Sequence, residues 1–393
     1  MADQPGLDME RAREAFDDST DFTVGLEEEF ALVDPATLEL EHRFEELHKA
    51  AQEDELLAQS VAGELIASEI EIRSGRGESF DDAVAAQREH RVRLFGLARE
   101  MGLALASTGT HPRASYLDQR IIDTEHYRRL RRDLGWVAQR NNTWSLHVHV
   151  GIRGADRAIA VCDWMRELLP LLLAASANSP FLDDRVTGLH TVRTQIFTRS
   201  FPRCGIPEAF GSWDAYASFV GRLQRLGSIV ESTQLWWSVR PHHSFGTVEV
   251  RICDAQVRSE ESEALAGLIA AAVAQTAMDL DEGRDGGEPL GGREIEENLW
   301  RAIRYGMDGE LIDFRRERTA AARAVLDELL EWTAPARSAL GIDVRLPDAN
   351  GAQRALAAVD RGEGIADIYR AAVAETQASY GGVSAAEAPG AGA

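Results

Sequence analysis

The stretch Thr23-Val24-Gly25-Leu26-Glu27-Glu28-Glu29-Phe30-Ala31-Leu32-Val33 has the apolar content and alternation of a β-strand, yet it carries three carboxylates at its centre. Side chains alternate between the two faces of a strand, so Glu27 and Glu29 share one face and Glu28 takes the other. Two carboxylates side by side on a half-buried face repel one another and lose hydration. A sheet that keeps them there needs a compensating partner, and a divalent cation with oxygen ligands is the usual one. Two further runs repeat the pattern: Glu64-Leu65-Ile66-Ala67-Ser68-Glu69-Ile70-Glu71-Ile72, and Thr247-Val248-Glu249-Val250-Arg251-Ile252-Cys253. The reading is a metal-dependent enzyme with its site on a sheet.

The 393 residues are enough for one large domain or two ordinary ones, and a hydrophobic share of 44% is that of a folded globular protein. No run of about 18 apolar residues stands out, so no membrane span is expected. The start, MADQPGLDME, lacks a basic region followed by an apolar one, and three cysteines without a CxxC pair make a disulfide framework improbable. The cytoplasm is the default expectation. A net charge of −23 argues against nucleic acid as a partner, since no broad basic surface is available for phosphates. A small anionic substrate needs only a local arginine cluster. With a single lysine, Lys49, a P-loop is ruled out, and bound phosphate must be met by arginine, metal or backbone.

Along the chain, residues 1–20 read as a polar N-terminal arm or frayed helix. Strands are expected at 23–33, 60–73, 103–109, 142–151, 234–240 and 246–254. Helices are expected at 41–59, 79–101, 155–177, 213–227 and 260–280. A Gly/Thr/Arg-rich loop should occupy 179–212, and 293–378 reads as all-helical. Residues 379–393, rich in Ala, Gly and Pro, read as a disordered tail. Strands before 255 and helices after it argue for an α+β domain, 21–378, with one main sheet.

Four groups of residues carry candidate chemistry. Glu27 and Glu29 are the first, the alternative being a solvated acidic edge strand. In the second, Glu69 and Glu71 share a strand face, and Glu64 joins them only if the chain bends near Ala67-Ser68. In the third, His147 and His149 lie on one face of a strand, a spacing common for metal ligands and equally open to core histidines. The fourth is a set of arginines, Arg193, Arg199, Arg203, Arg240 and Arg251. Arg251 shares a face with Glu249 while Val248, Val250 and Ile252 take the core side; a structural Arg–Glu pair is the competing reading.

The ordered series Gly25–Phe30, Glu64 with Ser68-Glu69-Ile70-Glu71, Leu146–Ile152 and Arg240-Pro241 with Phe245–Arg251 resembles the glutamate–cysteine ligase type 2 family of carboxylate–amine ligases. Thr108–Pro112, Asn178–Phe181 and Arg193–Pro207 add to the resemblance, which spans about residues 22–370. It implies a glutamine-synthetase-like catalytic core, a curved antiparallel sheet with helices packed on one side. It also implies ATP and Mg²⁺ (or Mn²⁺) as cofactors and L-glutamate with L-cysteine, or another amine, as substrates. By position it implies metal ligands at Glu27, Glu29, Glu64, Glu71, His147 and Glu249. Arg251, Arg193 and Arg240 are implied as catalytic and anion-binding arginines, and His149 as a substrate or ATP contact. A homodimer is compatible with the family. Glu69 stands where the family pattern often has an amide. The competing readings are a cupin-like metal oxygenase using His147 and His149, and a non-catalytic nucleotide or metabolite sensor.

Overall fold

A computed structural model describes residues 7–284 and 287–382. Its centre is a seven-stranded, fully antiparallel sheet. The strands are β1 (Val24–Val33), β2 (Val61–Ala62), β3 (Glu69–Arg73), β4 (Ala104–Ala106), β5 (Ser145–Gly151), β6 (Val239–His242) and β7 (Thr247–Asp254). They run in the order β6-β7-β5-β1-β3-β2, with β4 also pairing with β1. The sheet is open, with β6 and β2 at its edges, and so lacks the two packed sheets of the jelly roll that the cupin alternative requires.

Alternation within each strand divides the sheet into two unlike faces. Leu26, Leu146, Val148, Val150, Val248, Val250 and Ile252 form one core with the long helices α5 (Ala155–Ser176) and α7 (Ser259–Asp281). On the same face, Phe30, Leu32, Ile70 and Ile72 pack with α2 (Phe44–Gln52) and α3 (Phe80–Glu100). Helix α3 starts at a capping box in which Ser79 and Asp82 satisfy each other's backbone N–H groups. The opposite face carries the acids. Helices also stand over that face, because α4 (Glu125–Leu134) and α6 (Val192–Ser200) wall the cavity above it. Gly151 ends β5 where the chain crosses closely: a Cβ there would lie 2.2 Å from the Thr20 carbonyl oxygen.

Several expectations need correction. Of the two readings of the N-terminal stretch, the helix holds for residues 9–17, but it is packed and not frayed: α1 (Met9–Asp17) buries Ala12 and Phe16 in the main core, with Asp8 capping its first turn. The presumed loop 179–212 contains α6, and the presumed all-helical stretch after 293 contains a hairpin, Glu310–Asp313 with Arg318–Ala321. Residues 379–381, expected in the tail, are helical: a helix runs from Ile365 to Gly381, and its Tyr380 is buried and donates to the Gln256 carbonyl. Residues 383–393 lie outside the described residues. Helix α7 is long and apolar enough to cross a membrane, the only such helix among the described residues, but 78% of its apolar window is buried inside the fold, as in a core helix. Cys253 is a buried core residue, and none of the three cysteines is in a disulfide.

Candidate active site

Sheet register lines the acids up in rows across the open face. Glu27 lies opposite His147 on β5 and opposite Arg73 on β3. Glu29 lies opposite Glu71. Glu249 lies opposite His149 on one side and Arg240 on the other. An irregularity between Val250 and Cys253 shifts the β7 register just where Arg251 sits. These rows form the floor of a cavity of about 570 Å³.

Two groups of ligand atoms, Glu27–His147–Glu249 and Glu29–Glu71–His147, each come within 4.8 Å of one another. They share His147, whose ring contacts Glu27 at 3.1 Å, Glu29 at 3.6 Å and Ser145 Oγ at 2.8 Å. Ser145 in turn holds Glu29, donating both its backbone N–H and its hydroxyl at 2.6 Å. Glu64 lines the same cavity from the loop between β2 and β3, so the bend that strand parity demanded is there. Glu69 is buried behind the cluster: one oxygen accepts from Asn141 at 3.4 Å and the other has no partner among the described residues.

The electrostatics follow from this crowding. Burial, and then Glu29, push the Glu64 carboxyl up to about 7. Burial and neighbouring acids also raise Glu69 and Glu71 well above the usual carboxylate range. Glu27 and Glu249 go the other way: burial opposes ionisation, but the imidazoles beside Glu27, and Arg240 with Arg251 beside Glu249, more than offset it. The imidazoles diverge as well. Burial and Arg251 lower His147, whereas Glu249 and Glu27 outweigh burial and raise His149. His149 Nε2 is buried 3.3 Å from Glu27 and 3.8 Å from Glu249, without a well-aligned hydrogen bond to either. Hard oxygen donors with one shared imidazole, and three acids whose carboxyls crowding and burial push upward, fit divalent cations such as Mg²⁺ or Mn²⁺.

The arginines divide. Arg251 lies in the cavity between Glu249, which it ion-pairs, and His147 at 3.4 Å, and its Nε has no partner among the described residues. Arg240 does not fit the role of an anion clamp. Two of its nitrogens are taken by Glu249, at 2.6 and 3.2 Å, and the third by the carbonyls of Thr233 and Leu235. Arg193 lines the cavity but donates to the carbonyls of Ile252 and Arg251, tying α6 to β7. Arg199 pairs with Glu296 at 3.6 Å, and Arg203 donates to the Gln234 carbonyl; neither lines the cavity. Sequence reasoning missed Arg73, Tyr127, Trp236 and Phe245, all cavity-lining. For Arg73 the signal was there, since Glu69, Glu71 and Arg73 continue one period-two series.

With this geometry in view, the chain can be set beside known proteins. The profile of glutamate–cysteine ligase family 2 (GCS2) matches residues 23–381. The chain belongs to the glutamate–cysteine ligase family 2. Family relatives include the candidate glutamate–cysteine ligase 2-2 of Rubrobacter xylanophilus, 38% identical over 79% of this chain and 80% of that protein. The candidate glutamate–cysteine ligase 2 of Sorangium cellulosum is 40% identical over 79% of this chain and 82% of its own length. Among solved structures, the glutamate–cysteine ligase of Francisella tularensis, in complex with AMP, superposes with a TM-score of 0.66 at 12% identity, covering 96% of this chain and 92% of that one. At that identity the likeness establishes a shared glutamate–cysteine ligase fold.

Proposed function

We propose that this chain is an ATP-dependent carboxylate–amine ligase that joins the γ-carboxylate of L-glutamate to the amine of L-cysteine. The observation that carries the reading is the pair of acid–imidazole groups sharing His147 on the cavity floor, with Arg251 beside them. Family membership and the AMP complex of the Francisella neighbour support it.

A carboxylate is a poor acyl donor, so its oxygen first attacks the γ-phosphorus of ATP, releasing ADP and forming a γ-glutamyl phosphate. The amine then attacks the acyl carbon, and inorganic phosphate leaves with the C–O electron pair as the amine sheds a proton. Glu27, Glu29, Glu64, Glu71, His147 and Glu249 would hold Mg²⁺ or Mn²⁺. Such ions, when bound, neutralise phosphate charge and let two anions approach. Arg251 stabilises charge on the transferring group, and most of the catalysis is positioning and fixed electrostatics. Arg240 acts on Glu249, fixing it on β7. Ser145 fixes Glu29 and bonds His147, orienting the acid and the shared imidazole together.

The test is phosphate release from Mg·ATP with glutamate fixed and a panel of amines, cysteine first. Release that requires glutamate and cysteine together supports the reading. Release only with another amine keeps the ligase chemistry and changes the acceptor. No release with any pair, with a bound transition metal in the purified protein, overturns it. Glu249→Gln is a poor control for this test, because it also leaves Arg240 buried beside a lost counter-charge.

A further inference from the structure

Arg73 is the one cavity-lining arginine that no functional reading above uses. It closes β3 on the cavity face, directly opposite Glu27. Its Nε lies 2.5 Å from Glu71 and 3.6 Å from Glu27. Those two acids belong to different ligand groups, Glu71 to the one with Glu29 and Glu27 to the one with Glu249. Arg73 therefore touches one acid of each ligand group from the β3 side. Arg251 touches the same row from the other side, through His147, so the order across the sheet is Arg251, His147, Glu27, Arg73.

What remains free on Arg73 matters most. Only its Nε is committed. No hydrogen bond among the described residues uses its two terminal nitrogens, and its side chain lines the cavity at 45% exposure. A guanidinium fixed at Nε by a buried acid, with both Nη groups turned free, is an oriented two-point donor for a planar or tetrahedral oxyanion. Arg240 and Arg193, whose Nη donors are taken by the protein, offer no such fork.

We propose that Arg73 is a further catalytic residue of this reaction. Resting on the ligase reading, it would grip the phosphoryl group in transfer from the face opposite Arg251, so that two guanidinium groups close on the oxyanion from the two sides of the Glu27–His147 pair. Glu71 then has a second task, holding Arg73 at Nε. The competing account makes Arg73 only a counter-charge that lets Glu71 and Glu27 stay together.

Arg73→Lys separates the two, because lysine keeps the charge and loses the fork. The expected result is a kcat lowered at least about 100-fold with the KM for ATP changed less than about threefold, the pattern of a donor used in the transition state. Arg73→Ala should show the same loss, partly restored by added guanidinium ion. A readout independent of turnover is calorimetric binding of Mg·ADP with aluminium fluoride and glutamate. The variant should bind Mg·ADP alone as the wild type does and lose the added affinity from aluminium fluoride. A lysine variant with wild-type kcat, or with undiminished aluminium fluoride binding, overturns the proposal and leaves the ligase standing. A wild-type protein that neither turns over nor binds Mg·ADP overturns both.

Discussion

Glu28 and its neighbours Glu27 and Glu29 differ by one residue in sequence and by a whole environment in space. Glu28 points toward the helices, where Arg91 meets it with nitrogens at 2.6 and 2.8 Å, and Gln87 and Ser262 also donate to it. Every charge there is answered by the protein. Glu27 and Glu29 point into the cavity, where Glu64 and Glu71 add further acids, and imidazoles, a serine, Arg73 and Arg251 answer them. Burial is similar on the two faces, so burial does not mark the site. The difference lies in who supplies the counter-charge: on one face the fold is complete in itself, and on the other it leaves room for a cation and a substrate.

The sharpest way to break this comparison is to unmake the closed side. Removing one member of a buried pair strands the other, a cost of about 3–5 kcal/mol. Arg91→Ala should therefore lower stability by about that much in urea denaturation, with or without Mg²⁺. The corresponding change on the open side has the opposite sign. With its carboxyl raised well above the usual range, Glu71 costs the metal-free fold free energy at pH 8. Glu71→Gln should stabilise metal-free protein by on the order of 1 kcal/mol while abolishing the gain in melting temperature that Mg²⁺ gives the wild type. A destabilised Glu71→Gln protein that still responds to Mg²⁺ would show that the open face is as closed as the other.

A titration sharpens the same contrast. Glu64 is raised from 4.5 to about 7, so in the folded chain it keeps its proton where the unfolded chain gives it up. Its contribution is fully present below about pH 4.5 and is lost as pH rises through about 7. Between those values metal-free wild type should lose stability relative to Glu64→Gln, and saturating Mg²⁺ should close the gap. Parallel curves for the two proteins across that window would remove Glu64 from the cluster.

The face-by-face contrast was already legible in the sequence, because strand alternation is strict and an acid on an apolar strand is conspicuous. Parity alone placed Glu27 with Glu29, Glu249 with Arg251, and Glu28 away from them, and it required the bend that frees Glu64. What parity could not give was partnership. Arg240 and Arg251 look alike in sequence, and only the fold shows that the carbonyls of Thr233 and Leu235 finish Arg240 while Arg251 keeps a free nitrogen. Nor could spacing rank His147 against His149. His147 serves both ligand groups because Glu27 lies opposite it across β1 and Glu29 is also within its reach, a matter of register. Helix α6 escaped notice because its buried side includes Arg193 and Thr194, and its preceding Thr191 donates to Asp254 instead of capping. The hairpin at 310–321 was hidden by charges that read equally well as a solvated helix.

The smallest expected effect tests whether the two faces are independent. Helix α3 carries both Gln87 and Arg91 to Glu28, and its first turn is held by the Ser79–Asp82 capping box on an exposed surface. Ser79→Ala removes one of those reciprocal bonds at a cost of about 1 kcal/mol. Frayed first-turn residues, 80–83, lie between about one and two turns before Gln87, so the grip on Glu28 should survive and the cavity acids on the far side of β1 should not move. Denaturation should register the loss, while the Mg²⁺ concentration for half-maximal stabilisation stays within about twofold of wild type. A cation affinity that fell along with stability would mean that strain at α3 passes through β1 to Glu27 and Glu29. The closed face would then be part of the site, setting the positions of its ligands.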